Sequence, residues 1–290
     1  MMKYVTKIKA KISIHSSRRT SNILDGSYKS IYSGNGFDFE NLREYIPGDN
    51  VRDIDWKASS RNRSLLVKRY VAEKKHNIML VFDTGRKMLA DTPCMQTKKE
   101  VCLNAGGTIG YLAGKNGDNI GAIYSTNGMV QYHQLRGGLY NLEHILTDYD
   151  KENYSDYSGD LEKSLNYIIK NIRRKMIIFV LSDDTGIYSV SDDTLKKLAC
   201  QHNVLFISIG DVNLTMGEAY HMDTSAYIPD FLTANKKLNK LELDTRQKLK
   251  EENKARLLRY QIISTQIDSE EEIVNKIIEL LERHKYANNR

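Results

Sequence analysis

Asn77–Asp83 reads NIMLVFD, an apolar run without alternation that ends in a carboxylate. A strand buried on both faces has this pattern, and the acid marks where the chain leaves the sheet. The pattern recurs in KMIIFVLSDD (Lys175–Asp184) and NVLFISIGD (Asn203–Asp211). Helical spacing falls between these runs: Thr97–Ala113 carries Val101, Ala105, Ile109 and Leu112 on one face, and Leu139–Tyr149, Leu161–Arg173 and Thr194–Gln201 also read as helices. Ile120–Ser125 and Met129–Leu135 flank Thr126-Asn127-Gly128, a hairpin signal. Further on, a charged helix is expected over Lys236–Arg259, a strand around Tyr260–Gln266 and a closing helix over Ser269–His284, with Ile273, Ile277, Leu280 and Leu281 on its apolar face. Strands alternating with helices predict an α/β fold, a mostly parallel sheet covered on both sides. Sites in such sheets gather at the carboxyl ends of the strands. Three strands deliver acids there: Asp83, Asp183 with Asp184, and Asp211.

Residues 1–76 differ from the body over 77–290. They hold short alternating segments (Lys7–Ser13, Leu65–Tyr70) and loop signals (Gly34-Asn35-Gly36, Pro47-Gly48-Asp49), so a small β-rich region or irregular arm is expected. Charge divides in the same way. Residues 1–77 hold 16 Lys and Arg against 8 Asp and Glu, while the remainder holds 27 against 29. A basic N-terminal third suits an acidic partner surface, a nucleic acid, or simply a solvated face. With 290 residues, the chain can bury a core without disulfide or metal staples. Cys94, Cys102 and Cys200 are odd in number and form no C-x-x-C, so buried or inert thiols are expected. The longest apolar stretch, Met176–Leu181, is far short of the roughly 20 residues that cross a membrane. The N-terminus MMKYVTKIKAKISIHSS has no apolar block, so no secretory signal, no membrane span and a cytoplasmic location are expected.

Catalytic motifs are missing where they would be sought. Gly114-Lys115 is preceded by Ile109 where a phosphate-binding loop needs glycine and is followed by Asn116 where it needs Ser or Thr. Gly34-x-Gly36 lacks its third glycine, and no G-x-S-x-G occurs. No activated nucleophile or acid–base pair stands out, and a non-enzyme is expected. The segment LREYIPGDNVRDIDWKASSR instead gathers Arg43, Asp49, Arg52, Asp53, Asp55 and Arg61 around Trp56, the sole tryptophan. Arginines pair with carboxylates and stack on indoles. The segment is therefore either a salt-bridged turn cemented by Trp56 or a recognition surface.

This segment resembles the signature of domain-of-unknown-function family fifty-eight, R-x-Y-x-x-G-D-x-x-R-x-I-D-W-x-x-x-x-R. Arg43, Tyr45, Gly48, Asp49, Arg52, Ile54, Asp55, Trp56 and Arg61 match it. The resemblance implies a von Willebrand factor A-like domain after the signature, with which the order of strands and helices from Asn77 is compatible. It also implies a partner, a MoxR-type AAA+ ATPase, and a chaperone-like role in assembly or metal insertion. The two N-terminal membrane helices of many members are not expected here. The client is not implied by anything in the sequence. A nucleic-acid-binding module using the basic N-terminal third is the alternative, weakened by the lack of interleaved stacking aromatics.

The resemblance further implies a Mg²⁺ site built on D-x-S-x-S, a threonine from a second loop and a later aspartate. Mg²⁺ asks for about six oxygen ligands. Here the motif reads Asp83-Thr84-Gly85-Arg86-Lys87, the threonine position falls near Gly159, and the later acid is Asp183. Asp83 and Asp183 survive, Gly85, Lys87 and Gly159 offer no hydroxyl, and Thr84 is off register by one residue. The expectation is a degenerate, metal-free site in which Lys87 holds the two carboxylates; at about 4 Å and an effective dielectric near 20, such a pair attracts by roughly 4 kcal/mol before desolvation. The alternative is that Arg86 and Lys87 point into solvent. Tyr149, Tyr154 and Tyr157, in TDYDKENYSDYSGD, are expected in a solvated loop on the same edge.

Overall fold

The computed structural model describes residues 2–15, 23–24, 28, 38–62, 64–71, 75–152, 160–212, 220–221, 226–227 and 236–288. They fall into two units, one formed by residues 1–31 with 76–290 and the other by residues 32–75.

In chain order the elements begin with α1 (Lys3–His15), β1 (Asp38–Glu44), α2 (Trp56–Asn62), β2 (Leu66–Val71) and β3 (Asn77–Phe82). Next come α3 (Lys98–Lys115), β4 (Asn119–Thr126), β5 (Met129–Gly137), α4 (Leu139–Lys151) and α5 (Leu161–Asn171). Then follow β6 (Ile177–Asp183), α6 (Asp184–Ser189), α7 (Asp192–Gln201) and β7 (Asn203–Ile209). A two-residue pair, β8 (Tyr220–His221) and β9 (Ala226–Tyr227), precedes α8 (Lys236–Arg259), β10 (Ile263–Ile267) and α9 (Ile273–Asn288).

The larger unit is an α/β layer structure around one six-stranded sheet of order β10-β7-β6-β3-β4-β5. Every neighbouring pair is parallel except β4–β5, the hairpin, whose Asn127 and Gly128 turn at φ 53° and 72°. The unbroken apolar runs follow from burial on both faces. Met79 and Val81 join Ile178, Val180 and Phe206 against α5 and α7. Their sequence neighbours point the other way, where Phe82 stacks on Tyr149 of α4 at 4.3 Å between ring centroids. No described helix is long and apolar enough to cross a membrane.

Two expectations are corrected here. Lys7–Ser13 is not a strand segment but lies inside α1. Val5, Ile8 and Ile12 are buried at helical spacing, and the carboxylate of Glu143 on α4 accepts the backbone N–H groups of Lys3, Tyr4 and Val5 at 2.6–2.9 Å. That carboxylate satisfies the orphan donors of the first turn and sits favourably at the positive end of the helix dipole. The N-terminal helix therefore belongs with the sheet, and the β-rich unit narrows from 1–76 to 32–75. Tyr149 is not in a solvated loop. It is fully buried near the end of α4, while Tyr154 and Tyr157 lie outside the described residues. Gly34-Asn35-Gly36 also lies outside them. Cys102 is buried, its thiol pushed up to about 12 by burial, whereas Cys94 and Cys200 are exposed and unpaired.

Candidate functional site

Because β3, β6 and β7 run parallel and adjacent, their carboxyl ends deliver Asp83, Asp183 and Asp211 to one edge of the sheet. Asp83 follows the last residue of β3 and is nearly buried. Its Oδ1 accepts the Gly85 N–H at 2.7 Å and its Oδ2 the Ser182 hydroxyl at 2.5 Å, while its carbonyl accepts the Tyr149 hydroxyl at 3.0 Å. Burial, then the charge of Asp183, pushes its pKa up to about 6, against the pull of Ser182, Gly85 and Lys98. Asp183 ends β6 and caps α6. Its Oδ1 accepts the Gly186 N–H at 2.7 Å and its Oδ2 accepts from the Lys98 ammonium at 3.0 Å.

Lys98 opens α3 after Thr97, whose side chain caps the helix, and is 1 % exposed. Its ammonium bridges Asp183 and Asp211. Burial works against the charge, but the two carboxylates outweigh it, and the pKa lies above the ordinary lysine value. Asp184, one residue past Asp183, belongs to a separate contact. Its Oδ1 accepts the Ser208 hydroxyl at 2.6 Å and its carbonyl accepts the Asn253 amide of α8 at 2.8 Å. Burial raises its pKa, partly offset by Ser208 and Lys250. Gly186 is required by close approach, since a Cβ there would run into the Ser182 hydroxyl and stand 2.5 Å from Asp83 Oδ2.

The expected role of Lys87 is corrected. It sits in the 3₁₀ turn Arg86–Leu89 and makes no ion pair with either acid; the cation between the strand ends is Lys98. Thr84 does turn away, its hydroxyl donating to the Ser125 carbonyl. Gly159 lies outside the described residues. The donor set does not fit a divalent ion. The Lys98 ammonium already stands on Asp183 Oδ2, and Gly85 and Lys87 add no oxygen donor. Ser182, Ser208 and Asn253 were not singled out from sequence; serine after an apolar run gives no signal of its own. Lys98 did carry one: it lies three, four and seven residues before Val101, Cys102 and Ala105, on the face of α3 that is buried.

In the smaller unit, β1 and β2 pair antiparallel, and Ile54 bridges to Val67. Arg43 Nη2 binds Asp49 Oδ1 at 2.6 Å, and Asp49 Oδ2 accepts the Ile46 N–H at 2.9 Å across a turn where Gly48 takes φ 109°. The Arg43 guanidinium and that N–H hold the Asp49 carboxyl below the usual carboxylate range. Asp55 accepts the Ala58 N–H at 3.0 Å at the start of α2 and lies 3.4 Å from the Lys68 ammonium; both lower its pKa, the N–H more. The turn is thus salt-bridged as one sequence reading had it, but Trp56 does not cement it. Trp56 is 64 % exposed, and Ile46, Val51 and Arg61 also face solvent. The Arg52 side chain lies outside the described residues.

A mostly parallel α/β sheet with paired acids at its carboxyl edge, preceded by a salt-bridged signature turn, defines the kind of protein. The chain belongs to the family described as Protein of unknown function DUF58, whose model matches residues 41–216. Uncharacterized proteins of Mycobacterium tuberculosis and Mycobacterium bovis are 24 % identical to it over 196 residues, 67 % of this chain. The match spans 61 % of the length of those relatives. Among solved structures, a conserved hypothetical protein, BatB, from Bacteroides thetaiotaomicron is similar at a TM-score of 0.46 and 13 % identity, covering 72 % of this chain and 98 % of its own. An aerotolerance-related membrane protein from Bacteroides fragilis is similar at 0.45 and 13 %, covering 72 % and 99 %.

Proposed function

We propose that the protein is a non-enzymatic adaptor, a von Willebrand A-like module that works without a cofactor beside a MoxR-type AAA+ ATPase in chaperone-like assembly or maturation. The observation that carries the reading is the division of labour inside the family signature. Arg43, Asp49, Ile54 and Asp55 are consumed in holding the unit together, whereas Trp56 and Arg61 project outward, and Ile46 and Val51 earlier in the same segment are exposed as well. A large amphipathic aromatic and an arginine left in solvent are the residue types that dominate protein–protein contacts. The sheet edge agrees with a binding role, since its acids are tied to donors and to Lys98 rather than left to a nucleophile or a water.

The partner and the role are tested with purified components. The protein is titrated against a MoxR-type ATPase from the same genome, reading binding and ATP turnover. Trp56→Ala and Arg61→Glu are each expected to weaken binding by about tenfold or more, the range of a central contact residue. Absence of binding by the unaltered protein, or unchanged binding by both variants, would refute the reading. The nucleic-acid alternative has less support. The basic N-terminal third is shared between two units, and Lys11, Arg43 and Lys68 are engaged by Glu270, Asp49 and Asp55. Retardation of DNA or RNA that falls steeply with salt would favour it instead.

A further inference from the structure

We propose that Lys98 is the resident cation of the strand-end site: an ammonium tethered to the first turn of α3 stands where a site of this layout would otherwise take a divalent metal ion. The proposal goes beyond the adaptor reading and does not depend on which partner the protein meets.

Three observations support it. An ammonium that is 1 % exposed survives only with opposite charge in direct contact, and Lys98 has two carboxylates, one from β6 and one following β7. The loop that delivers it is tied down on both sides. The Lys98 N–H donates to the Ala90 carbonyl at 2.9 Å, and the Asp91 carbonyl accepts the Val212 N–H at 3.0 Å, next to Asp211. The positive charge that a metal would bring is already in place on Asp183 Oδ2, and the neighbouring Asp83 is oriented by Gly85 and Ser182. A side chain thus supplies the positive charge, and it cannot be lost to a chelator or exchanged.

Two consequences follow. The intact protein does not need a divalent ion at this edge, and removing the ammonium leaves its two partners, Asp183 and Asp211, without a counter-charge, which is what a hard cation can supply. Mn²⁺ serves as the probe, titrated into the full chain by calorimetry and electron paramagnetic resonance. The unaltered protein is expected to bind none saturably below about 1 mM, the weak end for hard cations at protein sites. Lys98→Ala is expected to gain one site at least about tenfold tighter than that, lost again when Asp183→Asn is added. Micromolar binding by the unaltered protein overturns the proposal, as does a folded Lys98→Ala that gains nothing.

Should Lys98→Ala unfold, Mn²⁺ is expected to restore its melting transition, because a ligand of the native state stabilises it by mass action; no restoration overturns the proposal. A measurement on the unaltered protein stands beside these. Brief amine acylation read by mass spectrometry is expected to spare Lys98 while modifying Lys87, and equal modification of the two overturns the burial on which the argument rests.

Discussion

Replacing Lys98 by methionine keeps most of the stem and removes the charge. In the native protein the ammonium lies 3.0 Å from Asp183 Oδ2, and both side chains are almost wholly enclosed, at 1 % and 2 % exposure. At that separation and an effective dielectric near 20, the gross attraction is about 5.5 kcal/mol. The desolvation of both ions is set against it, so the pair itself contributes much less. The variant pays differently. It leaves Asp183 enclosed without its cation and Asp211 without its partner, and breaking a buried pair from one side costs about 3–5 kcal/mol. Asp183→Asn in the same background removes the stranded charge, so the double variant is expected to recover about 2 kcal/mol of that loss.

The assay is urea unfolding followed by far-UV circular dichroism, which reports the helices and sheet; the sole tryptophan, Trp56, lies in the smaller unit and would report that one. The pH dependence supplies a second reading. The folded pKa of Lys98 is raised, so its contribution is fully present below the unfolded value of 10.5 and is lost as the pH climbs through the folded one. The unaltered protein should therefore show an alkaline loss of stability that Lys98→Met lacks. A neutral-pH loss below about 1 kcal/mol, the range of an exposed pair, would refute the reasoning.

Other expectations come from neighbouring contacts. Ser182→Ala removes a donor that holds the Asp83 pKa down, so Asp83 should titrate above its present value of about 6, read from its side-chain carbon by NMR; no upward move would refute the assignment. For Asp83 the folded value exceeds the unfolded 3.8, so its contribution is present below 3.8 and is lost as the pH rises through about 6. Gly186→Ala places a methyl group against Ser182 and Asp83, and should cost about 2–4 kcal/mol in the same urea assay, where a neutral outcome would show that the α6 turn is not fixed. His202 is 2 % exposed, and burial, then Lys175, lowers its pKa from 6.5. Its contribution is present above 6.5 and lost as the pH falls through the depressed value, so His202→Leu should flatten the acid limb of the stability curve, and an unchanged limb would count against it.

The parts of this structure that were legible are those in which one physical demand fixes the pattern. A strand buried on both faces has to be apolar at every position, and NIMLVFD, IIFVLSD and NVLFISI became β3, β6 and β7 within a residue or two. Their parallel pairing then obliges the terminal acids to meet, which is why Asp83 and Asp183 could be named together. What failed depended on partners far along the chain. The N-terminal helix is held by Glu143, some 140 residues away, so its lysine–isoleucine alternation carried no trace of the cap. Trp56 is a local case: of the two readings of its segment, the one in which it cements the turn rests on arginines stacking on the indole, and nothing in LREYIPGDNVRDIDWKASSR says that the Arg43–Asp49 and Asp55–Ala58 contacts close the turn without it.

The two lysines put the distinction most sharply. Lys87 is four residues from Asp83 and takes the place of a serine in D-x-S-x-S, but the Arg86–Leu89 turn carries it elsewhere. Lys98 is fifteen residues away, yet the helical period places it on the same buried face as Val101, Cys102 and Ala105, and a charge on that face has to find carboxylates or abolish the helix. Parallel pairing brings Asp183 and Asp211 to the edge that the first turn of α3 meets, and there the Lys98 ammonium finds both. The constraint that identifies the cation is therefore the cost of burying it, and distance along the chain does not enter.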